Sequence, residues 1–341
     1  MGSYLVKFTP LEPYFFGNER AFDFGEVKPQ KSGKYFIRSE KMPAQTTIWG
    51  ALRYILSEII RPDFSYTEEE KEINEKAVGK SSFDITQKSE QDYGKIRRIS
   101  PVFIADSSSY YVNTPFDHKN HIKDSYSPFL DYKKVGDKLL PRDYKAKNHL
   151  ADSYVNLDNS KIYPNLFISN VKVVIKKLSD KDGFFKREYK ILKNGFSFAC
   201  FTELDTKPKS KYLVYLGQGK SAFSVSFEER ENDLDTKFAS FIKTSPRINE
   251  PKAYALSDIY ITSNIYRQCL LAITKIKEFR NISTNLNEKN YYKRLRKNDF
   301  LVKLIQAGSV FLLNDAEEFK QRIEENTHCT QIGLNKIIMG G

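Results

Sequence analysis

The apolar residues of this chain arrive in short runs, and helical patterns stand at only a few of the junctions between them. SYLVKFTP (3–10) alternates polar and apolar residues and stops at Pro10, the pattern of a strand with one buried face. The run that starts in KMPAQTTIWGALRYIL (41–56) differs. It places Ile48, Leu52, Ile55 and Ile59 on one helical face, with Trp49, Leu56 and Ile60 beside them. Thr46 or Thr47 is the expected N-cap, since a hydroxyl there can accept from the free N–H groups of the first turn. Strand patterns return in RRISPVFIA, YYVNTPF, LFISNVKVVIKK and GFSFACFTEL, with a hairpin tip expected at SDKDGFFKREYK. A doubly wound parallel sheet would need a helix after nearly every strand, and this order does not supply them.

A second unit is expected from residue 209. YLVYLGQGKSAFSVSFEE reads as a glycine-broken strand pair and AYALSDIYIT as a strand. Ser263 or Asn264 is expected to start a helix bearing Ile265, Cys269, Ala272, Ile273 and Ile276. LIQAGSVFLL reads as a strand, NDAEEFKQRIEEN as a helix capped by Asn314 with Glu317 three residues on, and TQIGLNKIIMGG as a closing strand. The expected fold class is α+β: two tandem ferredoxin-like (RRM-like) domains with antiparallel sheets, at 1–208 and 209–341. Long insertions are expected at about 63–95, as a solvated helix and loop, and at 117–165, which is polar, rich in tyrosine and weakly periodic. A connection of that length is usually functional or partly mobile.

Composition narrows the partners. The chain has 341 residues, enough for two cores, and 55 Lys+Arg against 43 Asp+Glu give a formal charge of +12. That excess favours a polyanion such as nucleic acid. Cys200, Cys269 and Cys329 are odd in number, far apart and without a Cys-x-x-Cys pair, which fits a reducing cytoplasm. The N-terminus lacks the apolar core of a signal peptide, and no apolar run approaches the ~20 residues of a membrane helix. A soluble cytoplasmic protein without a membrane partner is expected.

Catalytic signatures are sparse. The sequence holds no phosphate-binding Walker loop, no G-x-S-x-G elbow and no paired Asp motif. Its four histidines are His118, His121, His149 and His328, three of them in the polar insertion. His118 and His121 in HKNH have no further Cys/His cluster to complete a metal site. No catalytic residue, metal or cofactor is therefore expected.

The residues suited to RNA lie elsewhere. Arg20, Arg38 and Lys41 flank the opening loop, and Thr46, Thr47 and Arg53 follow at a helix start, where N–H groups and the dipole favour phosphate. Trp49 offers a stacking plane. N-capping and core packing account for Thr46 and Trp49 equally well. Gly217 and Gly219 would let backbone approach a ligand, with Lys220 adding charge, although a tight hairpin turn explains the same glycines. Residues 264–303 carry ten Lys/Arg against three Asp/Glu, including YYKRLRK at 291–297. They form either a solvated surface or a docking face.

PLEPYFFGNERAF, MPAQTTIWGALR, ISPVFIADSSSYYVNTPFD, GFFKREYKILKNGFSFAC, YLGQGKSAF, IQAGSVFLL and QIGLNKIIMGG follow one another along the whole chain. In these stretches the chain resembles the RAMP superfamily of CRISPR effector subunits. It looks most like the type III-B subunit that holds the 5′ tag of the guide RNA (crRNA) beside the large, polymerase-like subunit. Subtype III-A has an equivalent subunit. One departure is that the family's Gly-Gly turn is here Gly217-Gln218-Gly219. The resemblance implies two tandem ferredoxin-like domains, no catalytic role and a place in antiviral defence. It also implies contacts with the crRNA 5′ tag, the large subunit and a backbone RAMP subunit, with target RNA met indirectly. GFFKREYK resembles the protruding hairpins with which such subunits wedge guide RNA. Phe184 or Phe185 would then stack on a base while Lys186, Arg187 and Lys190 meet phosphates. Some RAMP proteins instead cut repeat RNA without metal through a histidine, and that is the rival reading.

Overall fold

The computed structural model describes the chain except residues 18–34, 62–64, 120, 121, 123, 130, 143–152, 179–180, 218, 244–249, 262, 280–281, 285–294, 298–301 and 341. It is a mixed α/β structure with mostly antiparallel sheets.

Strand β1 (Gly2–Pro10) lies inside a nine-stranded sheet. Its alternation sends Tyr4, Val6 and Phe8 to one face and Leu5 to the other, and both faces are buried there. After β2 (Tyr35–Ile37), helix α1 (Gln45–Leu56) buries Ile48, Trp49, Leu52, Ile55 and Leu56 against the first face. The N-cap of α1 is Ala44, with no side-chain cap, so Thr46 and Thr47 sit within the first turn instead of capping it. Helix α2 (Glu68–Val78) opens with a Thr67/Glu70 capping box. It is only partly solvated, because Lys71 and Asn74 are buried.

Strands β3 (Ile96–Ile99), β4 (Phe103–Ala105) and β5 (Tyr110–Asn113) follow. The 117–165 segment is more ordered than its composition suggests: a hairpin pairs Tyr132–Val135 with Lys138–Pro141, and Tyr154–Asn156 extends the large sheet beside β5. Strands β6 (Phe167–Leu178) and β7 (Lys181–Leu192) form a long hairpin, and β2 pairs with β7 in parallel. GFFKREYK is thus strand, and of the expected tip segment residues 179–180 lie outside the described residues. Strand β8 (Ser197–Leu204) pairs with both β4 and β1.

The strands β9 (Lys211–Leu216) and β10 (Ser221–Glu229) correct the expectation for residue 209 onward. They pair with each other and, through β10, with β1, so they extend the first sheet. Around β1 the order is β4-β8-β1-β10-β9. Helix α3 (Leu234–Lys243) then packs Leu234, Phe238 and Phe241 on the second face of this sheet, near Leu5 and Phe201.

A four-stranded antiparallel sheet begins with β11 (Lys252–Ala255). It runs in the order β12 (Cys269–Ile273), β13 (Val310–Leu313), β11, β14 (Ile337–Gly340). The helix expected from Ser263 or Asn264 is absent. Asn264 caps one 3-10 turn, Ile265–Gln268, after which Cys269–Ile273 pairs with β13 as strand. The apolar run CLLAI fits both periods, and the sheet decides. The later helix α4 (Ala316–Glu324) is capped by Asp315, whose carboxylate accepts from Glu318 N–H, not by Asn314. A short helix α5 (Thr327–Gln331) precedes β14.

Three sequence motifs meet under α1. The Gln45 carboxamide donates to Ser100 O at 2.9 Å and accepts from Val102 N–H at 3.0 Å, clamping the ISPVF segment. Gly333 lies against the same carbonyl at φ +81°, where an added Cβ would stand 2.4 Å from Ser100 O. Only glycine fits there. MPAQ, ISPVF and QIGLN are therefore one structural joint.

Candidate nucleic-acid interface

Phe15 is the hub of the candidate site. In PYFFG the strand alternation turns Tyr14 and Phe16 into the main core, and Phe15 points the other way yet is fully buried. Its neighbours are the base of the long hairpin and the turn between β9 and β10. The Arg187 guanidinium lies 4.7 Å from the Phe15 ring centroid, and Tyr189 meets the ring edge-on at 6.0 Å. Tyr14 and Lys190 exchange two backbone hydrogen bonds of 2.9 Å, which tie the opening loop to the hairpin.

The glycine turn closes on the same ring. Gly217 adopts φ +74°, and an added Cβ would come within 2.2 Å of Phe15 O. Lys220 N–H donates back to Gly217 O at 3.1 Å, which leaves the exposed Lys220 at φ +49°. Gly217 is thus required by the close approach of the Phe15 backbone.

The hairpin projects from this base. All twelve residues of β6 pair with β7, so it extends roughly 40 Å at ~3.3 Å per residue. Lys186 is exposed, and β2 runs beside it in the register Lys186↔Phe36 and Arg187↔Ile37. Arg38, the residue after β2, is exposed next to Glu188. Burial raises the Glu188 carboxyl, but hydrogen bonds from Lys190 and Ser169, with the charges of Lys190 and Arg38, outweigh it and hold the group below its ordinary range. Lys41 is half-buried, and its carbonyl accepts from Tyr14 Oη at 2.8 Å.

Arg187, Gly217 and Gly219 are therefore brought together at Phe15, with Lys220 in the same turn. Alternation along β7 turns Lys186, and Glu188 with Arg38 near it, to the other face of the hairpin from Arg187 and Tyr189, and Lys41 lies on the adjoining loop. Three further candidates are buried. Lys190 is buried and held by Glu188 at 2.7 Å and Ser169 Oγ at 2.9 Å. Trp49 is 1% exposed and meets Tyr93 edge-on at 4.5 Å, so it cannot stack on a base. Arg53 is buried too. Its guanidinium donates to Val78 O and Gly79 O at the C-terminal end of α2, and burial lowers its pKa to about 10. For Trp49 the core-packing alternative holds, with Tyr93 against its ring, and Arg53 is taken up by the end of α2 instead of the loop in front. Arg20 lies outside the described residues. Phe184 and Phe185 have their backbone in β7, but their side chains also lie outside them. Residues 285–294 and 298–301 of the basic segment are outside as well, and a short pair, Ile282–Thr284 with Leu295–Lys297, is described between them.

The histidines narrow the rival reading. His118 is buried, with Nδ1 accepting from Ser127 N–H and Nε2 facing Ile122 O at 2.8 Å. His328 is buried with Nε2 facing Ile85 O at 3.0 Å, and burial lowers its pKa. His121 and His149 lie outside the described residues. Among the described residues no group of three His, Cys, Asp or Glu side chains is placed to hold a metal, and no helix is long and apolar enough to cross a membrane.

Sequence reasoning missed Phe15 as the organiser and Gln45 as the clamp. Alternation within PYFFG was the available signal for the first.

The fold is similar to that of chains in solved type III CRISPR complexes. A chain in the type III-B Cmr-beta structure bound to cognate target RNA is 15% identical, with 98% of this chain covering 96% of that one at a TM-score of 0.51. The same assembly bound to target RNA and AMPPnP gives 15% identity, 98% and 95% coverage and a TM-score of 0.48. A chain of the Csm3–Csm4 subcomplex of type III-A gives 13% identity, 92% and 93% coverage and a TM-score of 0.39. The likeness is one of fold. The sequence matches no family model and no curated protein.

Proposed function

We propose that this chain is a non-catalytic RNA-binding subunit of a type III CRISPR ribonucleoprotein that holds the 5′ tag of the crRNA. The observation that carries this reading is the seating of Arg187 and the Gly217–Lys220 turn on Phe15, with Arg38 and Lys186 exposed on the adjoining hairpin, in a chain sharing its fold with a chain of the Cmr-beta structure. Exposed cations bind phosphates by releasing counterions, and the Arg187 plane, already fixed on Phe15, loses little freedom on binding. Phe184 and Phe185 have their backbone in β7 of the long hairpin, and in this reading either ring stacks on a base of the tag. In this reading the large polymerase-like subunit and a backbone RAMP subunit flank the tag, target RNA is met through the guide, and the complex acts in the cytoplasm in antiviral defence.

The reading includes two ferredoxin-like units. β11, β12, β13 and β14 are numbered by chain order and lie in space as second, third, first, fourth, the order of that fold, with its first helix reduced to a 3-10 turn. β1, β4, β8 and β10 repeat the order, with β9 where a second helix would stand.

The test is a salt titration of 5′-tag RNA binding by wild type and by Arg38→Ala/Lys186→Ala/Lys220→Ala. Three lost phosphate contacts should flatten the log–log slope by about two units. All three positions are exposed, so circular dichroism should be unchanged. An unaltered slope in the folded variant would refute the interface. Repeat RNA incubated with the pure chain in EDTA should stay intact. Cleavage that disappears in His121→Ala or His149→Ala would establish the nuclease reading instead.

A further inference from the structure

Strands β1, β10 and β9 turn a second face outward that no described element covers beyond α3. Their register defines three rows. Leu11 N–H bonds Ala222 O, and Ala222 stands opposite Tyr215. Ser197, Thr9, Ser224 and Leu213 stand abreast in the second row, and Lys7, Ser226 and Lys211 in the third. Leu11, Leu213 and Tyr215 are 59%, 55% and 64% exposed, which is unusual for large side chains on a sheet face. The Thr9 and Ser197 hydroxyls share a 2.7 Å hydrogen bond, and the Lys7 ammonium reaches Asp106 O at 3.3 Å. Glu12 stands at the rim, its carboxylate accepting from Ala222 N–H at 2.7 Å.

We propose that this sheet face is a second RNA-binding surface. A single-stranded segment leaving the Gly217–Lys220 turn would stack a base on Tyr215 between Leu11 and Leu213, with its phosphates toward Lys7 and Lys211. This rests on the RNA-binding reading above. Two observations favour RNA over a protein segment. The charges within the three rows are those of Lys7 and Lys211, with the carboxylates of Glu12 and Glu228 at the two rims, so the middle of the face complements a polyanion. The face is also continuous with the first site, because β9 runs from Tyr215 through Leu216 directly into Gly217 beneath Phe15. An aromatic platform beside hydroxyls and lysines suits bases of any sequence.

The experiment compares Tyr215→Ala, Tyr215→Phe and wild type by fluorescence anisotropy at fixed salt, with a short RNA limited to the tag and a longer RNA extended by about ten nucleotides, a length within the site sizes of sheet platforms. Tyr215→Ala should bind the longer RNA about tenfold more weakly, the loss expected for one stacked base, and the tag alone unchanged. Tyr215→Phe should restore wild-type affinity. Undiminished affinity of Tyr215→Ala for the longer RNA overturns the proposal and turns the face over to a protein partner. If the Arg38/Lys186/Lys220 variant loses affinity in the same assay, the first interface stands regardless. An equal loss for the short RNA also overturns the proposal, because the residue would then act through the fold.

Discussion

Replacing Lys252 by methionine is expected to cost about 3–5 kcal/mol of stability, the usual result of removing one partner from a buried ion pair. Lys252 Nζ lies 2.7 Å from Asp117 Oδ2, and the two side chains are 7% and 0% exposed. Asp117 also accepts from Tyr126 Oη at 2.7 Å, and the Lys252 ammonium sits 5.6 Å from the Tyr254 ring centroid. Without the lysine, a carboxylate would remain deep in the protein with one phenol as its partner. The pair joins the loop after β5 in the first sheet to the first strand of the second. Its geometry therefore fixes how the two sheets meet, and Asn113 Nδ2 bonded to Ala307 O and Phe116 N–H bonded to Gly308 O lie along the same seam. The double variant Asp117→Asn/Lys252→Met should recover much of the loss, since no charge is then stranded. Urea midpoints of wild type, single and double variants measure this. A Lys252→Met midpoint equal to wild type would mean that the pair contributes nothing at the seam.

Residues whose roles are local were legible in the sequence. The strands of RRISPVFIA and YYVNTPF, the helix after MPAQ and the glycine at 217 follow from period and turn chemistry. Roles set by distant contacts were not. Arg53 and Trp49 look like surface candidates until α2 and Tyr93 cover them, and Lys190 looks like a phosphate ligand until Glu188 stands across from it. His118 reads as a loop histidine because its partners, Ser127 and Ile122, give no pattern in a polar segment. The break at 209 follows the same logic. β9 and β10 resemble the start of a new unit, but their apolar face, with Val214, Phe223 and Val225, completes the core under α1. Sheet membership is decided by which uncovered edge a hairpin meets, and that information is not local.

Stability is expected to stay level near neutral pH and to collapse on the alkaline side. Burial raises the phenols of Tyr14, Tyr93, Tyr126 and Tyr254 well above the ordinary value near 10, Tyr126 and Tyr254 further because Asp117 is close. Burial also pushes the Cys200, Cys269 and Cys329 thiols up to about 12. In each case the folded chain keeps a proton that the unfolded chain has released. Stability from these groups is therefore fully present below the unfolded pKa and is lost as pH rises above it, from about 9 for the thiols and about 10 for the phenols. Each group contributes up to about 1.4 kcal/mol per pH unit within its window, so the four phenols alone have removed roughly 5–6 kcal/mol by pH 11. Arg53 opposes this. Its pKa is lowered to about 10, so the unfolded chain binds the extra proton and stability from that group rises with pH above 10. One group cannot offset seven. A total stability of about 5–15 kcal/mol would be exhausted near pH 11. Urea midpoints followed by far-ultraviolet circular dichroism from pH 7 to 11 measure the slope, and tyrosinate absorbance should appear cooperatively with unfolding. A midpoint that does not move between pH 9 and 11, or phenols that titrate singly while the chain stays folded, would show that these rings are open to water and that the core drawn here around Tyr14, Tyr93 and Asp117 is wrong.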